Sequence, residues 1–333
     1  MINSTRISNK ILIALFAMIL LCVLPPSGTA AAAQKEATVI NGISVVMNGE
    51  KVKMTDPVRM LDGKLYAPVG RMIEMFGAKA TWDQDAYELT IHNAFGDKMV
   101  LGDGVPVVYF NGSRYFMDSA TFMIDGKTYA PLRDLAEMLH GAVKWNADEQ
   151  VVQLQTIQPV VVTEEMSLLE ISKQFGVRDA DLAERNGLKN TDDIKTGTIL
   201  RVVMPSILEN EAKPYTEKDY KLLAKLTQVE AGYETYEGQL AVANVILNRV
   251  KDSRFPSTIR DVIYSGKQFP VAHNGDLDKS VPNASVLRAV KDALNGKNNV
   301  EDAVYFFNPD VSKGAFWSSL DVVATIGNHS FAK

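Results

Sequence analysis

The sequence predicts an α+β multidomain chain, and three observations carry that prediction. Residues 39–156 contain one pattern twice, at a constant offset of 63 residues. Residues 159–204 read as strand, helix, helix, strand. Residues 215–333 open on two long apolar helical patterns and close on short strand patterns. A length of 333 residues has room for two or three domains, and a hydrophobic content of 46% supplies their cores. The net charge of −5 offers no basic face to nucleic acid. No glycine-rich phosphate loop, HExxH or paired CxxC signature appears. His92, His140, His273 and His329 lie far apart and Asp276-x-Asp278 stands alone, so no metal site and no cofactor are expected.

In residues 1–33, Arg6 and Lys10 precede an apolar run, Ile11 to Leu24, followed by Pro25-Pro26-Ser27-Gly28 and an alanine tract. That is the pattern of a secretory signal, cleaved near Ala32 or Ala33. The run is shorter than the roughly 18 residues of a spanning helix, so membrane contact is expected through this segment alone, an uncleaved anchor being the alternative. Cys22, the single cysteine, lies inside the run behind Leu21 rather than a small residue, which speaks against a lipoprotein site.

In residues 39–156, Asn48-Gly49 matches Asn111-Gly112, Asp62-Gly63-Lys64 matches Asp125-Gly126-Lys127, Tyr66-Ala67-Pro68 matches Tyr129-Ala130-Pro131, and Trp82 matches Trp145. Each copy reads as a strand ending at Asn-Gly, a second strand reaching Asp-Gly, a helix after the proline, and a Trp-bearing strand, Thr81 to His92 or Val143 to Leu154. Trp82 and Trp145 are expected in the core because each sits in an alternating strand, with a sugar platform as the second reading. This duplicated β/α unit resembles the stalk domain named after the N-terminal region of copper amine oxidases, which implies a spacer or wall-contact module and no copper site.

In residues 159–204, Ser167 with Glu170 three residues on caps a helix that ends at Gly176, and Asp181 to Leu188 forms a second. A strand from Ile199 to Val203 closes the unit. Leu169 and Ile171, Asn186-Gly187-Leu188 and the turn from Gly197 to Leu200 resemble a LysM domain, a small βααβ module. The family binds chains that contain N-acetylglucosamine. Here the first loop reads Glu165-Met166-Ser167 where Gly-Asp-Thr is usual, which leaves a spacer role open beside glycan binding. A Pro-bounded linker, residues 205–214, follows.

The C-terminal 215–333 is organised around residues 222–250. Leu223, Leu226, Thr227 and Glu230 recur at helical spacing, which puts an acid on the stripe that should face the core. Burial favours the neutral carboxyl, the form a general acid needs. The same spacing also fits an acid solvated or paired at a fraying helix end. Glu237 to Lys251 is apolar nearly all round and reads as the buried centre of the domain. Asn244 and Asn248 interrupt it on one face, either tying neighbouring loops or, with Gln239, lining a cleft near Glu230. Gln268 and Phe269 are expected in a cleft wall. Trp317, Tyr305 and Phe307 are core aromatics or sugar platforms, and His329 is a strut or a cleft residue.

Glu230-Ala231-Gly232, Glu237-Gly238-Gln239, Asn248-Arg249-Val250, Phe255-Pro256, Gln268-Phe269 and Ile326-Gly327-Asn328-His329-Ser330-Phe331 together resemble the SleB/CwlJ-type spore cortex-lytic cell wall hydrolases. The resemblance implies a lysozyme-like, mostly helical catalytic domain with a small antiparallel sheet, and Glu230 as the catalytic residue. It further implies a lytic transglycosylase that cleaves the MurNAc–GlcNAc bond, with peptidoglycan glycan strands as partner and the cell wall or spore cortex as location. An accessory or inhibitor protein is left open. A second carboxyl would be needed by an ordinary glycosidase. Glu234 and Glu237 lie in a turn and are expected to be solvated, so a single acid has to suffice. A muramidase, an amidase and a non-catalytic wall-binding protein are the alternatives.

Overall fold

The computed structural model describes residues 37–189, 194–266 and 268–333. The secretory-signal reading of residues 1–33 lies outside the described residues. Three regions follow one another along the chain: a sheet-rich stalk, the small LysM-like unit of two strands and two helices, and a helical C-terminal region with a small sheet.

In the stalk, Asn48-Gly49 and Asn111-Gly112 turn the hairpins β2–β3 (Ser44–Met47, Glu50–Val52) and β9–β10 (Val107–Phe110, Ser113–Phe116). Both pairs adopt left-handed backbone, with φ of 52° and 88° in the first and 52° and 89° in the second, the two-residue turn that Asn-Gly favours. Asp62-Gly63 and Asp125-Gly126 do the same between β4 and β5 (Arg59–Leu61, Lys64–Pro68) and between β11 and β12 (Phe122–Ile124, Lys127–Pro131). Pro68 and Pro131 then stand at the N-caps of α1 (Val69–Met75) and α2 (Leu132–Met138). β5 and β12 pair antiparallel with Ala67 opposite Ala130, in a five-stranded sheet that includes β1 (Thr38–Val39). The helices bury Met72, Leu135 and Met138 in one core.

The single Trp-bearing strands are hairpins instead: β6–β7 (Lys79–Asp83, Glu88–His92) and β13–β14 (Gly141–Asn146, Val151–Thr156). The Asp83 carboxylate accepts the N–H groups of Asp85 and Ala86, and the Asn146 amide oxygen those of Asp148 and Glu149, which bends the chain. β14 runs parallel to β2, and β8 (Lys98–Gly102) joins β7 to β9. Neither tryptophan enters the core. Trp145 is 37% exposed, and Trp82 is half-buried beside a groove. Neither ring is among the buried residues that form the stalk core.

In the LysM unit, β15 (Val160–Val161) pairs with β16 (Ile199–Leu200) around α3 (Leu168–Phe175) and α4 (Asp179–Arg185). Ser167 and Glu170 form the capping box, and Gly176 ends α3 at a φ of 66°. Leu168, rather than Leu169, faces the core. A buried ion cluster fixes this unit to the stalk. Asp97 is fully buried and accepts from Arg185 at 2.6 and 2.8 Å and from Arg201 at 2.7 Å, with Asn93 and Asn111 also donating. Burial raises the Asp97 carboxyl, but the Arg185 hydrogen bonds and charge outweigh it and bring it to about 2.

The linker expected over residues 205–214 is not a free tether. Ile207 is buried in the stalk core, Ser206 N–H donates to Glu137, and residues 210–212 run along β10 with Phe116 N to Asn210 O at 2.8 Å and Ala212 N to Arg114 O at 2.9 Å. Apolar Ile207 between two prolines gives the segment something to bury.

The C-terminal region begins with α5 (Glu217–Ala231), capped by Thr216 and Asp219, and α6 (Tyr236–Lys251). α6 is buried along most of its length, between α5 and α9 (Ala284–Leu294). α7 (Ile259–Tyr264) and α8 (Asp276–Lys279) close the helical layer. A three-stranded antiparallel sheet ends the chain: β17 (Tyr305–Phe307) and β18 (Val322–Ile326) flank β19 (His329–Ala332), with α10 (Ala315–Ser318) between β17 and β18. The stalk seats on α9: Lys291 pairs with Glu88 at 2.6 Å, and the Arg288 guanidinium lies 3.5 Å from the Tyr87 ring centre. Among the described residues no helix is long and apolar enough to cross a membrane.

Candidate active site

The acid sits where the helical spacing puts it. Leu223, Leu226 and Thr227 are fully buried, and Glu230, next on that stripe, is half-buried in the last turn of α5. Burial alone pushes its carboxyl above the ordinary value of 4.5. Among the described residues no hydrogen bond or ion pair engages that carboxyl. It is a group placed to hold a proton and able to release it, the property of a general acid.

The corner that follows is tightly held. A Cβ at Gly232 would fall 2.0 Å from Gln228 Nε2, so only glycine fits the turn beside that side chain. Gln228 Oε1 accepts from Asn283 N at 2.8 Å, and Asn283 Nδ2 donates to Gly232 O at 3.3 Å. Gln239 is buried beneath the corner, donating to Glu234 O at 3.0 Å and accepting from Ser285 Oγ at 2.7 Å. It is therefore an internal strut and not a cleft residue. Tyr233, next to the Gly232 corner, is fully exposed.

Glu234 overturns the expectation of a solvated turn. Its side chain is 11% exposed, and Oε1 accepts from Asn328 Nδ2 at 2.9 Å and lies 3.6 Å from His329 Nδ1. Its Oε2 lies against Gly327, where a Cβ would come within 1.9 Å. The β18–β19 loop, Gly327-Asn328, thus clasps the corner between α5 and α6. Burial pushes the His329 imidazole below its ordinary 6.5 against the opposing charge of Glu234, so the ring is neutral at neutral pH. Glu237, in contrast, is exposed as expected.

The remaining candidates lie elsewhere. Asn244 donates to Asn299, and Asn248 donates to the carbonyls of Glu301 and Ala303 at 2.9 Å each. Both amides tie the segment before β17 to α6, the loop-holding alternative. Phe269 is 2% exposed and stacks on Phe306 in the helical core, so it is no cleft wall; Gln268 beside it is exposed. Phe306 and the Arg249 guanidinium hold Phe269 in the interior and leave the polar Gln268 outside. Buried Arg249 lies over Phe255, Phe269 and Tyr305, and donates to Val304 O at 2.6 Å. Burial lowers it to about 10, which leaves it charged at neutral pH and fixes the loop before β17 to α6. Phe307 is buried, with Trp317 half-buried on it at 4.9 Å.

The sequence placed Glu234 in a solvated turn and Gly327-Asn328 in a separate motif, with nothing to bring the two together. The available signal was Gly-Asn between two apolar stretches, a two-residue hairpin loop. Recognising β19 would have brought that loop back over the corner.

Family profiles match three segments: Copper amine oxidase N-terminal domain at residues 46–154, LysM domain at 160–203 and Cell Wall Hydrolase at 233–332. The last begins three residues after Glu230. A "spore cortex-lytic enzyme" of Oceanobacillus iheyensis is 28% identical over 254 residues, covering 72% of this chain and 89% of that protein. A protein of the same description from Bacillus cereus is 36% identical over 124 residues, where the match spans about half of the relative, 48%, and 37% of this chain. Among solved structures, the catalytic domain of the germination-specific lytic transglycosylase SleB from Bacillus anthracis is 35% identical, covering 37% of this chain and 99% of that one, with a TM-score of 0.35. Residues 233–332 of this chain thus carry a cell wall hydrolase domain, behind a copper amine oxidase N-terminal domain and a LysM domain.

Proposed function

We propose that this chain is a secreted peptidoglycan-degrading enzyme, a lytic transglycosylase of spore cortex or cell wall with Glu230 as its catalytic acid and base. The observation that carries the reading is the half-buried Glu230 carboxyl, raised by burial and unengaged by the described residues. Protonated, it gives its proton to the glycosidic oxygen as the MurNAc C1–O bond breaks. As carboxylate it takes the proton of the C6 hydroxyl of the same muramic residue, whose oxygen closes on C1. A 1,6-anhydro end results and no water is consumed. One acid serves both steps, and charge developing at C1 is offset by the substrate's own N-acetyl group.

Glu234 supports a second reading, since a muramidase needs two carboxyls. Both of its oxygens face protein, one towards Asn328 and His329 and the other against Gly327, which favours a positioning role. The 63-residue offset supports a duplicated stalk, and the helical domain with its small sheet supports a lysozyme-like fold. Residues 1–33 are read as a cleaved signal, 39–156 as stalk, 159–204 as the wall-binding LysM unit and 215–333 as the catalytic domain.

Purified cortex and vegetative peptidoglycan, digested with the protein and resolved by mass spectrometry, test the proposal. Anhydro-muramic ends that vanish with Glu230→Gln are expected. Reducing ends or freed peptides overturn the transglycosylase mechanism, and undiminished cleavage by Glu230→Gln removes Glu230 from the chemistry.

A further inference from the structure

The stalk carries an open groove of about 680 Å³, within the size range of small-ligand sites. It lies between the first turns of α1, the β6–β7 hairpin and the β11–β12 turn. Trp82 lines it, with Nε1 donating to Gln84 Oε1 at 3.0 Å and Tyr87 edge-on at 5.8 Å. The indole is thus held by its edge. Arg71 pairs with Glu74 at 2.7 Å, and Lys127 pairs with Asp56. Every charged side chain in the wall has its opposite beside it, so the groove offers hydrogen bonds without net charge.

The second half of the stalk departs from the first at the groove positions. At an offset of 63, Trp82 and Glu74 recur as Trp145 and Glu137, but Gly70 becomes Arg133, Arg71 becomes Asp134, Gln84 becomes Ala147 and Tyr87 becomes Gln150. Gly70 is the second residue of α1, in its first turn. A Cβ there would meet nothing within 4 Å, so the glycine is not required by packing. It leaves open space where its counterpart carries an arginine.

We propose that this groove is a binding site for the uncharged N-acetylglucosamine units of a glycan strand, with Trp82 as the stacking platform and Gln84, Arg71 and Glu74 as hydrogen-bonding partners. An aromatic platform flanked by planar polar side chains fits the alternating apolar and hydroxyl faces of a pyranose. Paired charges disfavour a ligand with a net charge, such as a stem peptide. The position suits a polymer. Tyr87 lies under Arg288 of α9, and the N-cap of that helix, Asn283, holds the Gly232 corner. Asn283 to Arg288 spans five residues, roughly 8 Å of helix. One strand therefore has a short path from the groove to the corner that follows Glu230.

The proposal rests on the reading of wall glycan as substrate, and its test separates the two. The full chain with Glu230→Gln, Trp145→Phe and Trp317→Phe keeps Trp82 as the one tryptophan. It is titrated with a soluble hexamer of β-1,4-linked N-acetylglucosamine while tryptophan emission is followed. A saturable change is expected, with its midpoint weakened about tenfold by Gln84→Ala and more by Gly70→Arg. Both place the counterpart's residue in the groove, and unchanged thermal melts confirm their folding. No emission change, a change that Gly70→Arg leaves intact, or a response to a stem peptide alone overturns the groove site. Cleavage of sacculi by the chain with Glu230 intact is scored independently. A Trp82 response without cleavage refutes the catalytic reading and keeps the groove.

Discussion

Replacing Gly327 by alanine should break the clasp between the β18–β19 loop and the corner after Glu230. The residue has a φ of 58° in the first position of a two-residue hairpin loop, a backbone that L-residues resist. That strain costs roughly 1–2 kcal/mol. The new Cβ would also lie 1.9 Å from Glu234 Oε2, so the carboxylate must turn away. Turning away breaks its bond from Asn328 in a site that is 11% exposed, a charge-assisted bond of about 1.5–3 kcal/mol. The two effects sum to roughly 2.5–5 kcal/mol, a fall in melting temperature on the order of 10 °C. Circular dichroism melts of the single variants and of Gly327→Ala with Glu234→Ala make a double-mutant cycle. Without the Glu234 side chain the alanine should cost only the backbone strain, leaving a coupling of about 1.5–3 kcal/mol. Additivity to within about 0.5 kcal/mol would refute the clasp.

Three further outcomes follow from buried acids. The Glu230 carboxyl is raised above 4.5 by burial, so its stabilising neutral form is fully present below that pH and lost as pH rises through the folded value. Glu230→Gln should therefore melt with the wild type near pH 4 and above it at pH 8; equal melts at both would contradict the burial. Asp134 is raised to about 6, chiefly by burial, so Asp134→Asn should gain roughly 3 kcal/mol over the wild type above pH 7 and nothing below pH 4, read from denaturant midpoints. Asp97, held at about 2, acts in the opposite sense: its stabilisation is present above the usual 3.8 and lost as pH falls through 2. Asp97→Asn leaves the Arg185 side chain, 2% exposed, without its counter-charge. It should cost about 3–5 kcal/mol at pH 7, with limited proteolysis now cutting between stalk and LysM unit.

What could be read in the sequence was local. Asn-Gly and Asp-Gly demand left-handed turns, Ser167 with Glu170 makes a capping box, and the stripe ending at Glu230 obeys helical periodicity wherever the helix docks. Residues whose role depends on a partner far along the chain were not legible. Glu234 in isolation is one polar residue in a polar turn, and its burial is decided by Asn328, 94 positions away. Phe269 and Gln268 carry no periodic signal, so which of the two turns inward is set by Arg249 and Phe306. Asn248 on an apolar helix announced that it had partners, since an unsatisfied buried amide is costly, but not that they were the carbonyls of Glu301 and Ala303. The same distinction explains the tryptophans. Alternation in a strand marks one face as apolar, but whether that face meets a core, solvent or a ligand depends on what the rest of the chain lays over it. The Trp82 hairpin meets α9 through Tyr87 and Glu88 and lines the groove with Trp82, and several positions of that lining differ between the two halves.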